Sequence, residues 1–188
     1  MINYRKIFDD HAEPTSLTKM RQFLPKYHDD GPHEKDPEKW MITVENLLFG
    51  KENGSFVDLK LGTSTLTSDK DERQIKIAER KMVDAWTCSA EHGFTICGMN
   101  MKDPLTGKPR QTERFKDGKI GKTEPPNNIE EAEEYLTHFF QSEKGGTIDK
   151  SAIEYTREQL KPMLEYFENE NMHYFRGMSL FIVTESAQ

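Results

Sequence analysis

Ser55-Phe56-Val57-Asp58-Leu59-Lys60-Leu61-Gly62 is the stretch whose reading decides the fold. Val57, Leu59 and Leu61 alternate with Asp58 and Lys60, the period of two that a half-buried strand requires, and Gly62 ends the run. The spacing predicts a strand over residues 56–61, apolar on one face and carrying Asp58 and Lys60 on the other. Those two positions then lie about 7 Å apart along the strand. Such a pair suits phosphoryl transfer, in which a carboxylate holds a ribose or a metal while an ammonium neutralises charge on the moving phosphate. An acid and a base alternating on an exposed strand also describe an ordinary solvated surface, so the surroundings have to decide.

Upstream, residues 51–55 hold Glu-Asn-Gly-Ser turn chemistry, and residues 40–48, with Met-Ile-Thr-Val at their centre, read as a buried strand. Residues 29–39, with two prolines, a glycine and seven charges, read as a loop. Residues 2–24, broken by Pro14 and closed by Pro25, predict two short helices. Downstream, Ser68 can cap a helix over residues 69–86 with the stripe Ile75, Ala78, Met82 and Ala85, and with Arg73, Lys76 and Arg80 on another face. A strand over residues 93–101 interrupted at Gly98 follows, and then a proline-, glycine- and lysine-rich stretch over 102–128 that reads as a long loop or weak hairpin. Asn127 or Asn128 caps a helix carrying Ile129, Ala132, Leu136, Phe139 and Phe140, stopped by Gly145-Gly146. Asp149 opens another, with Ile153, Leu160, Leu164 and Phe167, which Pro162 should kink or divide. Residues 178–184 close the chain as a strand.

At 188 residues there is material for one domain, 1–188, with a core. The 11 Phe, 6 Tyr and 2 Trp argue against a disordered polymer although 31% of residues are charged. A net charge of −7 weighs against nucleic acid as a partner, so an anionic ligand has to meet a local cluster of Lys and Arg. Cys88 and Cys97 cannot form a disulfide framework or a spaced zinc site, and the six histidines show no metal-ligand spacing. No apolar run approaches the roughly 20 residues of a membrane span, and the first residues show no signal peptide. These features predict packed, reduced thiols in a soluble protein of the cytoplasm or nucleus.

Five segments, in order, resemble the inositol polyphosphate kinase family. Ser55 to Gly62 matches its Pro-x-x-x-Asp-x-Lys-x-Gly signature, with Ser55 in place of the proline. Phe23-Leu24-Pro25-Lys26-Tyr27 resembles its Phe-x-Pro-x-Tyr element, and Val44-Glu45-Asn46-Leu47 its hinge between two lobes. His92-Gly93-Phe94-Thr95-Ile96-Cys97-Gly98-Met99 is similar to Leu-Gly-Phe-Arg-x-x-Gly-Met, and Ser179-Leu180-Phe181-Ile182-Val183-Thr184-Glu185 to Ser-Leu-Leu-x-x-Tyr-Glu. The spacing is closer to the hexakisphosphate kinase and multikinase branches than to the trisphosphate 3-kinases.

The resemblance implies an α+β fold, an antiparallel sheet with packed helices like the C-lobe of these protein-kinase-like, ATP-grasp-like enzymes, truncated at both ends. It implies ATP-dependent phosphorylation of an inositol phosphate with Mg2+, Glu45 and Leu47 offering backbone groups to adenine. Asp58 would meet the nucleotide ribose and organise catalysis, and Lys60 would hold a substrate phosphate. The helix after Gly62 lines the inositol pocket in the family, which puts Lys76, Arg80 and Arg73 forward as phosphate ligands, Arg being able to grip bidentately. A solvated basic face is the competing reading there, with Asp69, Asp71, Glu72 and Glu79 nearby. A charged flexible loop is the reading for Lys108, Arg110, Arg114, Lys116, Lys119 and Lys122, whose match to the family is loose.

The family's N-terminal β-lobe, with its ATP-binding lysine, and its Ile-Asp-Phe segment, with the magnesium aspartate, are expected outside these residues. The alternative to a kinase is a non-catalytic module derived from the family that binds an inositol polyphosphate or a protein.

Overall fold

The computed structural model describes residues 4–9, 15–51, 53–63, 87–103, 106–109, 119–120, 125–141, 146–169 and 178–184. The chain separates into two compact units, Met1–Phe49 with Leu160–Tyr174, and Gly50–Gln159 with Phe175–Gln188.

In the first unit, α1 (Tyr4–Phe8) precedes α2 (Ser16–Lys19), which runs into a 3-10 turn at Met20–Phe23. These are the two short helices the prolines predict. Thr15 caps α2 reciprocally: its hydroxyl accepts from the Thr18 N–H, and the Thr18 hydroxyl accepts from the Thr15 N–H. The next segments depart from expectation. Residues read as a loop form β1 (Tyr27–His33), which turns through Glu34 and Lys35 into β2 (Asp36–Val44), an antiparallel hairpin. β2 is exposed along most of its length, with Trp40 64% accessible, and the strand stops at Val44 before a turn, so the buried strand read over 40–48 is corrected in both extent and burial.

What holds β1 is a polar hub on Asp30. Its carboxylate accepts from the Tyr27 hydroxyl at 2.7 Å, from the Trp40 indole N–H at 3.1 Å, and from the Arg5 guanidinium of α1. These donors, Tyr27 foremost, hold the Asp30 carboxyl below its usual value. Tyr4, Phe8 and Tyr27 stack with ring centroids 6.0–6.2 Å apart, and the Arg21 guanidinium lies over Phe8.

The second unit is built on β3 (Ser55–Leu61), the strand predicted from the opening stretch, with Ser55, Val57 and Leu59 buried. It pairs antiparallel with β4 (Phe94–Asn100) and with β6 (Met178–Thr184), and β4 pairs with the short β5 (Lys119–Ile120), giving the order β5-β4-β3-β6. α3 (Ser89–His92) enters β4 through Gly93, whose φ of 72° suits a residue without a Cβ at a helix C-terminus. The Gly98 interruption is a β-bulge: Leu59 pairs with Ile96 and Asp58 with Gly98, so Cys97 is the extra residue.

α4 (Ile129–Phe139) is capped by Asn128, whose side chain accepts from the Glu131 N–H at 2.8 Å. Its buried residues Ala132, Tyr135 and Phe139 join Val57, Leu59, Ile96, Met99 and Met101 in one apolar core. Cys88 belongs to that core as a free thiol, and burial pushes its pKa up, as for a packed rather than a reactive cysteine.

α5 (Lys150–Asn169) opens on Asp149, which accepts from the Ala152 N–H at 3.0 Å. It stays one helix through Pro162, so of the kink or division expected there the division does not occur; proline brings no N–H donor to that position. The architecture is thus mixed helix and antiparallel sheet, as expected. Among the described residues no helix is long and apolar enough to cross a membrane.

Candidate functional site

Residue alternation places Asp58 and Lys60 on the face of β3 opposite Val57 and Leu59, and the register decides what stands beside them. Asp58 lies between Phe181 of β6 and Gly98 of β4, the latter a position without a side chain. Next along β3, Lys60 lies between Ser179 of β6 and Thr95 of β4. Phe181 tilts against Phe56 at 5.1 Å and walls the row on one side.

The hydrogen bonding across this face is incomplete in a specific way. Asp58 Oδ1 is buried and accepts from nothing, and Thr95 Oγ1 is likewise buried without a partner. A buried acceptor left unpaired costs about 1–3 kcal/mol, more when charged, so Asp58 carries a standing demand for a donor. Lys60 Nζ donates to Ser179 Oγ at 2.8 Å.

In the first unit, the residues read as a hinge follow the end of β2. The Glu45 N–H continues the hairpin by donating to the Lys26 carbonyl at 2.8 Å, and the Glu45 side chain accepts from the Lys26 N–H at 3.2 Å. Asn46 then shapes a turn, its side chain accepting from the Leu48 N–H and its carbonyl from the Phe49 N–H. Among the described residues the Glu45 carbonyl and the Leu47 N–H take no partner. One acceptor and one donor, two residues apart, remain available on that segment.

Arg73, Lys76 and Arg80 lie outside the described residues, as do Arg110, Arg114, Lys116 and Lys122. Sequence reasoning missed Ser179 as a neighbour of Lys60. Its signal is present only in the pairing of β6 with β3, over a separation of 119 residues. Among the described residues no group of three or more His, Cys, Asp or Glu could hold a metal ion.

The inositol polyphosphate kinase family model matches residues 41–188, and the chain belongs to that family. Within it, the chain is similar to inositol polyphosphate multikinase alpha of Arabidopsis thaliana, 24% identical over 193 residues that make up 96% of this chain and 64% of the relative. The chain therefore spans a little under two thirds of that relative's length. Two solved structures share the fold. An inositol phosphate multikinase superposes with a TM-score of 0.66 at 20% identity, covering 97% of this chain and 78% of the other. The inositol phosphate multikinase of S. cerevisiae, solved with ADP and Mn2+, gives 0.55 at 22% identity, covering 93% and 72%.

Proposed function

We propose that this chain acts as an ATP-dependent kinase of inositol phosphates, with Asp58 turned to the nucleotide ribose and Lys60 to a phosphate of the inositol substrate. The observation that carries this reading is the buried Asp58 Oδ1, which accepts no hydrogen bond, on the same face of β3 as Lys60. A carboxylate oxygen only accepts, and ribose hydroxyls donate. Lys60 supplies a compact positive charge where a phosphate can lie, and charge neutralisation of this kind is what phosphoryl transfer requires from protein side chains. The free Glu45 carbonyl and Leu47 N–H match, in chemistry and order, an acceptor and donor for an adenine edge. Lys76, Arg80 and Arg73 are proposed as further phosphate ligands on the strength of the family alone.

Magnesium supplies neutralisation of the β- and γ-phosphates when bound. The described residues offer it no cluster of ligands, so no step is assigned to it. The acceptor is a hydroxyl or a phosphate of the inositol according to branch, and the cytoplasm or nucleus is the proposed place of action.

The test is direct. The chain, incubated with radiolabelled ATP, magnesium and a panel of inositol phosphates, is expected to transfer label, and Lys60→Ala to abolish the transfer. Inositol hexakisphosphate at 100 times its dissociation constant should stabilise the chain by about 2.7 kcal/mol. Stabilisation without transfer would replace the kinase by the binding module; neither response would remove both readings.

A further inference from the structure

Burial and hydrogen bonding disagree at two neighbouring positions on the Asp58 face of the sheet. Thr95 is 2% exposed, yet its Oγ1 has no hydrogen-bond partner, and the buried Oδ1 of Asp58 has none either. Because Thr95 is the register partner of Lys60, it stands on the face that carries Asp58, one step away diagonally across β3 and β4. Gly98, the register partner of Asp58 itself, adds no side chain there. The two unmet atoms are chemically complementary. A carboxylate oxygen only accepts, whereas a threonine hydroxyl both donates and accepts. They do not bond each other, and diagonal neighbours on a sheet stand about 7–8 Å apart, which leaves a gap between two short side chains. One water, reaching about 2.8 Å to either side, spans such a gap. Buried waters characteristically take up polar groups that the protein itself leaves unmet.

We infer that Thr95 is a positioning residue for Asp58, acting through one buried water that accepts from the Thr95 hydroxyl and donates to Asp58 Oδ1. The tie fixes the plane of the carboxylate. Asp58 is half-buried, and its two oxygens have about four acceptor sites between them, so acceptors remain for a ribose hydroxyl. A carboxylate held in advance loses less freedom when the ligand arrives. This rests on the reading of Asp58 as the ribose contact, and the experiment separates the two.

Three measurements on the full chain test it. A crystal structure that resolves ordered waters is expected to place one within hydrogen-bond distance of both oxygens, and Thr95→Val to lose it. Stability responds with opposite signs: Thr95→Val lowers the urea midpoint if the hydroxyl is tied through water, whereas replacing an unmet buried hydroxyl by a methyl raises it. Binding of magnesium ADP, followed by calorimetry, should weaken about fivefold in Thr95→Val and change less than about twofold when Thr95→Val is added to Asp58→Ala. Thr95→Ser, which keeps the hydroxyl, should bind nearly as wild type. A merely structural role predicts equal losses in both backgrounds and no rescue by serine. Equal losses, a raised or unchanged midpoint, or no water between the two oxygens overturns the inference. If Asp58→Ala binds ADP as tightly as wild type, or wild type binds none, the ribose reading fails instead, and the tie stands or falls on the midpoint and the water. If Asp58→Ala weakens binding and Thr95→Val does not, only the role of Thr95 falls.

Discussion

The β1–β2 hairpin and the sheet built on β3 are both antiparallel, yet opposite means hold them. Under the sheet, Val57, Ile96, Met101 and Ala132 are completely buried, and α4 lies against the strands through Tyr135 and Phe139. The hairpin leaves most of β2 in solvent, with Trp40, Met41, Ile42 and Val44 all exposed. Its ties are a carboxylate with three side-chain donors and a group of stacked rings. Apolar burial is insensitive to pH and supplies about 1.5–3 kcal/mol per large side chain. A carboxylate hub is titratable and, near the surface, is screened by salt. The two units should therefore fail under different conditions.

The largest effect belongs to the sheet. Ile96→Ala should cost about 2–5 kcal/mol, read as a drop in the urea midpoint at unchanged slope, and a loss below 1 kcal/mol would mean that the core is looser than the burial says. Loss of the α4 cap comes next: Asn128→Ala should cost about 1 kcal/mol in the same measurement.

Acid distinguishes the hairpin. Because the folded Asp30 pKa lies below its unfolded value near 3.8, its stabilisation is complete above that value and is lost as pH falls through the folded one. The indole N–H resonance of Trp40 should shift over that acidic range, and Asp30→Asn should remove the transition while leaving the urea midpoint of the sheet in place. Smallest of all, Ile42→Thr on the exposed face of β2 should change stability by no more than about 0.5 kcal/mol. A larger loss would show that the hairpin buries apolar surface after all.

The same contrast explains what could be read from the sequence. β3 and α4 were legible because one face of each is buried, and burial writes a period of two or 3.6 into the residues; β6 was legible as an apolar run, and the α4 cap was narrowed to Asn127 or Asn128, of which the structure has Asn128. The hairpin was not legible. β1 holds Asp29, Asp30, Gly31 and Pro32, which carry turn chemistry, and a strand exposed along its length has no apolar alternation to betray it. Its stabilising donors, Arg5, Tyr27 and Trp40, are dispersed in sequence and meet only at Asp30. In the candidate site, the common face of Asp58 and Lys60 followed from strand geometry. The unmet Asp58 oxygen and the Ser179 partner required the register, which no local pattern encodes.

The bulge at Cys97 has a consequence for how β4 can change length. Phe94 and Ile96 face the core at even spacing, Met99 is reached across an odd one, and the extra residue absorbs the difference in parity. Removing Cys97 would leave every recorded pairing with β3 intact and merely straighten the ladder. Removing a residue between Phe94 and Ile96 would instead shift one side of the pairing by a position and turn core side chains outward. β4 therefore has one position at which a single-residue deletion is neutral in phase, and it lies directly across from the segment that presents Asp58.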